Sequence, residues 1–80
     1  MLSKKQVIEK ELLINGLGHT KDGNGVEKHF VIFMDNSEEL ISPDTFIYLM
    51  QESKKRIKRH NSSIIDGCNV NLWTLKLARG

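Results

Sequence analysis

Disulfides and membrane-spanning segments are both missing from this chain of 80 residues. Its one cysteine, Cys68, excludes a disulfide within the chain, and no apolar run approaches the roughly 20 residues of a transmembrane helix. Small secreted domains usually carry several disulfides, so their absence favours a reducing compartment. The N-terminal stretch also has no apolar block of the kind found in signal peptides. We therefore expect a cytoplasmic protein without membrane insertion.

The chain also has little excess of charge of either sign, because its formal net charge is only +2 at pH 7. That value does not by itself indicate a polyanionic partner. With 39% hydrophobic and 28% charged residues, the composition is typical of a folded protein and not of a disordered one. We expect one domain spanning residues 1–80. A chain this short buries only about 60–65% of the surface that its unfolded form exposes, so it needs efficient packing or a partner.

The single proline marks the start of a predicted helix that runs from Pro43 to about His60. Ser42 is a typical N-cap residue, Pro43 suits the first helical position, and Asp44 places negative charge at the positive end of the helix dipole. Apolar and small residues then recur at three- and four-residue spacing, which predicts one inward face. That face consists of Phe46, Leu49, Met50, Ser53 and Ile57.

Before this helix the sequence predicts an antiparallel meander of three strands. The run from Val26 to Met34 is rich in β-branched and aromatic residues, which favour strands. The segments at residues 22–25 and 35–37 are typical of turns, since glycine and asparagine tolerate positive φ. A strand therefore precedes the first turn, and a short third strand follows the second, from Glu38 to Ile41.

Beyond the helix, alternating residues from Ile64 to Ala78 predict a fourth strand, with Asp66-Gly67 as a bulge or a tight turn within it. At the N-terminus, Ser3 and Gln6 resemble a capping box and favour a short helical turn before a strand from about Glu11. An N-terminal extension of the first strand is the alternative. The predicted fold class is α+β: a small antiparallel sheet of order β-β-β-α-β with one long helix packed on one face.

The predicted meander is apolar on both faces. Folding about Gly23-Asn24 pairs Leu17 with Phe30, so that one face carries Leu13, Leu17, Phe30, Ile32, Met34 and Leu40. The other face carries Leu12, Ile14, Val31, Phe33 and Ile41. One helix covers only one face, so we predict a protein interface at Val31, Phe33 and Ile41. Alternatively, the N-terminal segment folds over that face, or the last strand with Trp73 closes the sheet into a barrel-like core.

Residues that carry chemistry are few and scattered. In the predicted register His19 and His29 lie on opposite faces, and His60 lies at the far end of the helix, whereas zinc needs converging ligands. Cys68 has no Cys-x-x-Cys partner and no adjacent base. The glycine-rich segment at residues 22–25 leads into a strand and not into a helix, unlike a nucleotide-binding loop. We therefore expect no catalytic residue, no metal site and no cofactor, and we do not expect an enzyme.

Positive charge is concentrated in residues 51–60, where five cations stand against one acid, Glu52. The cations are Lys54, Lys55, Arg56, Lys58 and Arg59. At the end of the predicted helix they could neutralise nucleic-acid phosphates, bind an acidic protein partner, or only form a solvated helix terminus. Two functions follow. The first is a non-enzymatic binding or regulatory module that acts through protein–protein contact, as a homodimer or with another protein. The second is a nucleic-acid-binding protein that uses the basic end of the helix.

Overall fold

The computed structural model describes residues 1–77 and has an α+β fold, with a five-stranded antiparallel sheet, one helix of ten residues and a short N-terminal helix. The strands are β1 (Ile14–Lys21), β2 (Glu27–Phe33), β3 (Glu38–Ile41), β4 (Ile57–Ile65) and β5 (Cys68–Leu75). The helices are α1 (Lys4–Glu9) and α2 (Pro43–Glu52), with single 3₁₀ turns at Glu11–Leu13 and Lys54–Arg56. The strands lie in the order β3-β2-β1-β5-β4. Within residues 1–77, no helix is both long and apolar enough to cross a membrane.

The start of α2 confirms the predicted capping. The Ser42 hydroxyl accepts a hydrogen bond from the Thr45 amide at 3.2 Å, and Pro43 is the first helical residue. The predicted extension to His60 is wrong, because the helix ends at Glu52 and residues 57–65 form β4. β4 pairs with β5 along its length, and these tertiary hydrogen bonds override the local helical preference.

Asp66-Gly67 is the two-residue turn between β4 and β5. Both residues have positive φ, 52° for Asp66 and 76° for Gly67, as a type I′ hairpin turn requires. Of the two structures predicted for this pair, the tight turn is confirmed, but it separates two strands. The predicted single strand from Ile64 to Ala78 is therefore divided between β4 and β5, and Ala78 lies outside the described residues.

The N-terminal capping box is confirmed. Ser3 Oγ accepts from the Gln6 amide at 3.2 Å, and the Gln6 side chain accepts from the Ser3 amide at 2.9 Å. The following helix turns Val7 into the core, where its side chain is fully buried. The first strand begins at Ile14 and not near Glu11, because a 3₁₀ turn intervenes.

Both helices pack on the same face of the sheet. The buried apolar core consists of Val7, Ile14, Leu17, Val31, Phe33, Ile41, Leu49 and Leu75. The predicted interface residues Val31, Phe33 and Ile41 are therefore core residues, with 0%, 8% and 3% of their surfaces exposed. The prediction that their face lies open is wrong.

The strand register explains which face the helices cover. Lys21 pairs with Glu27 and Leu17 pairs with Val31, one residue away from the predicted register. Because side chains alternate along a strand, this slip moves Leu17 to the Val31 face and places Gly18 opposite Phe30. The larger apolar volume of β1 therefore lies on the Val31 face, and burying that face is more favourable.

Candidate interaction surface on the open sheet face

The sheet face opposite the helices has an apolar centre. We term it the open face, and its apolar residues are Gly16, Gly18, Phe30, Ile32, Leu40, Val70 and Leu72. Strand pairing sets Leu40, Phe30, Gly18 and Leu72 side by side in one row across four strands. No helix covers this row in residues 1–77, since α1 and α2 both contribute to the core on the other face.

The side chains of the open face remain accessible. Leu40 is 47% exposed, and Phe30, Ile32, Val70 and Leu72 are half-buried by their strand neighbours alone. None of these five belongs to the core cluster or packs against it. The face therefore presents contiguous apolar surface to the surroundings.

Two glycines of β1 make the open face flat. A Cβ added at Gly18 would lie 2.1 Å from Cζ of Phe30, and one added at Gly16 would lie 3.1 Å from Cβ of Ile32. The aromatic ring therefore lies across β1, in space that any other residue at position 18 would occupy. A flat apolar sheet face is the geometry that packs against a second flat surface.

Polar residues surround the apolar centre. Lys28, Glu38 and Thr20 border a shallow cleft beside Phe30 and Leu40. At the opposite edge of the sheet, Arg59, Asn61 and Ser63 of β4 share the open face through their pairing with β5. An apolar centre with a polar rim is the usual anatomy of a protein interface.

The predicted basic patch does not form one helical cluster. Lys54 and Lys55 are exposed in the 3₁₀ turn, whereas Lys58 and Arg59 are exposed on β4. Arg56 is half-buried, and its guanidinium donates hydrogen bonds to the carbonyl oxygens of Ile14 at 3.1 Å and Lys76 at 3.0 Å. Arg56 therefore holds two strand ends together, and four of the five cations remain free to meet a ligand.

Histidines lie on the helix-covered face. The predicted placement of His19 and His29 on opposite faces is wrong, because their rings stack with centroids 4.7 Å apart. The His29 ring packs against the ring of Phe46 in α2, with centroids 4.8 Å apart. His19 Nε2 lies 2.8 Å from Glu27 Oε1. Three potential metal ligands do not converge anywhere in residues 1–77.

His60 is also displaced from its predicted position. It lies in β4 and not at a helix end, and its ring stacks on Trp73 at 4.5 Å, nearly parallel. The Trp73 ring also meets the ring of Phe46 in an edge-type contact, with centroids 5.6 Å apart. Trp73 therefore links α2 to the sheet, as a partly buried residue packed against the core.

Acid is expected to destabilise the fold through His29. Burial lowers the pKa of His29 below its usual 6.5, and the charge of His19 lowers it further. A base whose pKa is lower in the folded state binds fewer protons there, so the free energy of unfolding decreases as the pH falls through about 6.5. The hydrogen bond from His19 lowers the pKa of Glu27, which adds to this loss at lower pH.

His29→Phe tests this expectation. The substitution keeps an aromatic ring against Phe46 and removes the titrating group. Urea unfolding at pH 7.5 and 5.5 should show a smaller loss of stability in this variant than in the wild type. His60→Phe is the matched control and should retain the wild-type loss. Equal losses of stability in the wild type and in His29→Phe would show that His29 does not cause the acid sensitivity.

The open face is not evident from the sequence, because the predicted register puts Phe30, Ile32 and Leu40 under the helix and does not join Val70 and Leu72 to their face. A signal for it was present, since Gly16 and Gly18 are two apart and leave the first part of one side of β1 without side chains. No protein-family model, curated protein or solved structure matches the chain.

Proposed function

We propose that the protein is a non-enzymatic binding module that docks a protein partner through the open face. The observation that carries this proposal is the uncovered strip formed by Phe30, Ile32, Leu40, Val70 and Leu72. Soluble monomers rarely leave contiguous apolar patches larger than a few hundred Å² exposed, and such patches commonly mark interaction sites.

The structure of the face supports docking of a preformed surface. Its residues lie on paired strands that are already ordered, so little backbone conformational entropy is lost on binding. The rim residues Lys28, Glu38 and Arg59 place charges of both signs around the apolar centre. Apolar contact would supply affinity, and the charged rim would set the orientation of the partner.

Site-specific photocrosslinking tests the proposal. A benzophenone amino acid is introduced at Leu72, on the open face, or at Ile47, which is 54% exposed on α2. After irradiation in cells that express the protein, we expect a discrete protein adduct from position 72 and none of that mass from position 47. Adducts are identified by mass spectrometry.

Competition establishes specificity in this experiment. Excess unlabelled wild-type protein should suppress the adduct in extracts, whereas a Leu72→Asp competitor should not. This competitor must retain the wild-type circular dichroism spectrum, which is expected because Leu72 lies outside the core. Equal crosslinking from both positions, or no protein adduct from position 72, would refute the proposed function.

The nucleic-acid alternative has one observation in its favour, the exposure of Lys54, Lys55, Lys58 and Arg59. If these residues bind phosphates, replacing all four with glutamine should abolish binding to labelled oligonucleotides, measured by fluorescence anisotropy. Arg56 is retained because it bridges two strand ends. Wild-type affinity should fall about 100-fold between roughly 50 and 200 mM salt, as expected for about four phosphate contacts. Tight binding that ignores salt, or that survives the substitutions, would place the site elsewhere.

A further inference from the structure

We propose that the partner on the open face is a second copy of this chain, stacked sheet against sheet about a twofold axis parallel to the strands. This inference rests on the proposed function and names its partner. Its starting point is a row of residues that crosses all five strands of the open face. The row runs Glu38, Ile32, Gly16, Thr74, Arg59, each residue paired with the next.

The charges at the two ends of this row are complementary. Glu38 lies on the edge strand β3, and Arg59 lies on the opposite edge strand β4. A twofold axis that runs parallel to β1 in the plane between two stacked sheets exchanges the two edges and keeps each row in place. Glu38 of one copy then faces Arg59 of the second, and the symmetry forms the same ion pair at both edges.

The middle of the face also fits this symmetry. β1 lies at the centre of the sheet, and Gly16 and Gly18 put no side chain on the axis, so that Thr20 is its one open-face residue within β1 with a side chain there. The axis brings β2 of one copy over β5 of the second, so Phe30 meets Leu72 of the second copy. The symmetry forms this Phe30–Leu72 contact twice, and both contacts lie inside the edge strands that carry the opposite charges.

The area of the face is sufficient for a specific dimer. Five strands about 4.8 Å apart, with three open-face rows about 7 Å apart and a margin for side chains, cover about 500 Å² per copy. The total of about 1,000 Å² reaches the lower limit for specific interfaces. Stacked sheets lie about 10 Å apart, a gap that a glutamate and an arginine span together. With one acid and two bases among its charged strand residues, the face repels its own copy little.

Measuring the molecular mass of the wild type and of charge-reversal variants in solution tests the inference. Sedimentation equilibrium of the wild type should show a species of twice the 9.2 kDa chain mass that dissociates on dilution. Glu38→Arg and Arg59→Glu should each weaken dimerisation at least tenfold, because each variant creates two like-charge contacts by symmetry. The double variant Glu38→Arg/Arg59→Glu should return to within about threefold of the wild type.

Adjacent residues provide matched controls. Glu39→Arg reverses the charge next to Glu38, at a residue whose pairing with Val31 puts it on the helix-covered face. Lys58→Glu reverses the charge of the residue before Arg59, at the bulge in β4. Neither should change the dissociation constant more than about threefold. Failure of the double variant to restore the dimer would overturn the inference. Rescue of Glu38→Arg by Lys28→Glu would also overturn it, since a twofold axis across the strands brings Glu38 near Lys28 of the second copy.

The mass measurement separates this inference from the proposed function. A wild type that remains monomeric at every concentration would refute self-association, whatever the crosslinking result. A crosslink from position 72 to a different protein would then retain the proposed function with another partner. A crosslinked peptide that joins position 72 to residues 30–32 of a second copy would support both proposals. The absence of both the dimer and the adduct would refute both.

Discussion

Replacing Leu49 with alanine is expected to lower the free energy of unfolding by about 2–4 kcal/mol. The Leu49 side chain is fully buried between α2 and the sheet, so the substitution removes apolar contacts and leaves a cavity. A chain of this size has a total stability of only about 4–12 kcal/mol, so the loss is a large fraction of it. Urea unfolding followed by circular dichroism at a fixed protein concentration measures the change.

Ile47 on the same helix supplies the control. Its side chain is 54% exposed, and Ile47→Ala removes a comparable apolar group without creating a buried cavity. We expect a change within about 0.5 kcal/mol, as is usual for surface positions. Similar losses in both variants would show that α2 does not pack on the sheet through Leu49.

Substituting Gly18 with alanine is expected to lower the free energy of unfolding by about 1–3 kcal/mol. The new Cβ would lie 2.1 Å from Cζ of Phe30, so the aromatic ring must leave its place across β1. In a Phe30→Ala background the clash is gone, and the same substitution should stabilise the protein because alanine costs less entropy than glycine in a strand. The sign of the Gly18→Ala effect should therefore reverse between the two backgrounds.

A double-mutant cycle measured by urea unfolding quantifies this coupling, which should be about 1–3 kcal/mol. Gly23→Ala is the matched control, because an added Cβ there meets no atom within 4 Å. It should be neutral or slightly stabilising in either background. Additive effects of Gly18→Ala and Phe30→Ala would refute the packing of the ring over β1.

Local chemistry was readable from the sequence alone. Ser42 and Pro43 predicted the start of α2, and Ser3 with Gln6 predicted the cap of α1. The 22–25 segment predicted a turn. The Asp22 carboxylate closes this turn by accepting hydrogen bonds from the backbone amides of Asn24 and Val26, each at 2.9 Å. These features depend on residues within a few positions of one another, so their energetics are contained in the local sequence.

The end of α2 was not readable in this way. The cations after Glu52 are typical of a helix terminus, yet residues 57–65 form a strand. That outcome depends on β5, which inserts between β1 and β4 and supplies the pairing partners of β4. Hydrogen bonds to a distant segment cannot be inferred from helix propensity, because tertiary pairing outweighs propensities of a few tenths of a kcal/mol per residue.

The sequence by itself determined that β2 is apolar on both sides and that a single helix covers only one of its faces. Only the tertiary structure decided which face that is. A register shift of one residue set Leu17 beside Val31, and both helices then packed on that side, leaving Phe30, Ile32 and Leu40 open. The physical reason is that a strand has a period of two, so a single-residue slip in pairing exchanges its faces, and the slip is fixed by contacts between segments far apart in the chain.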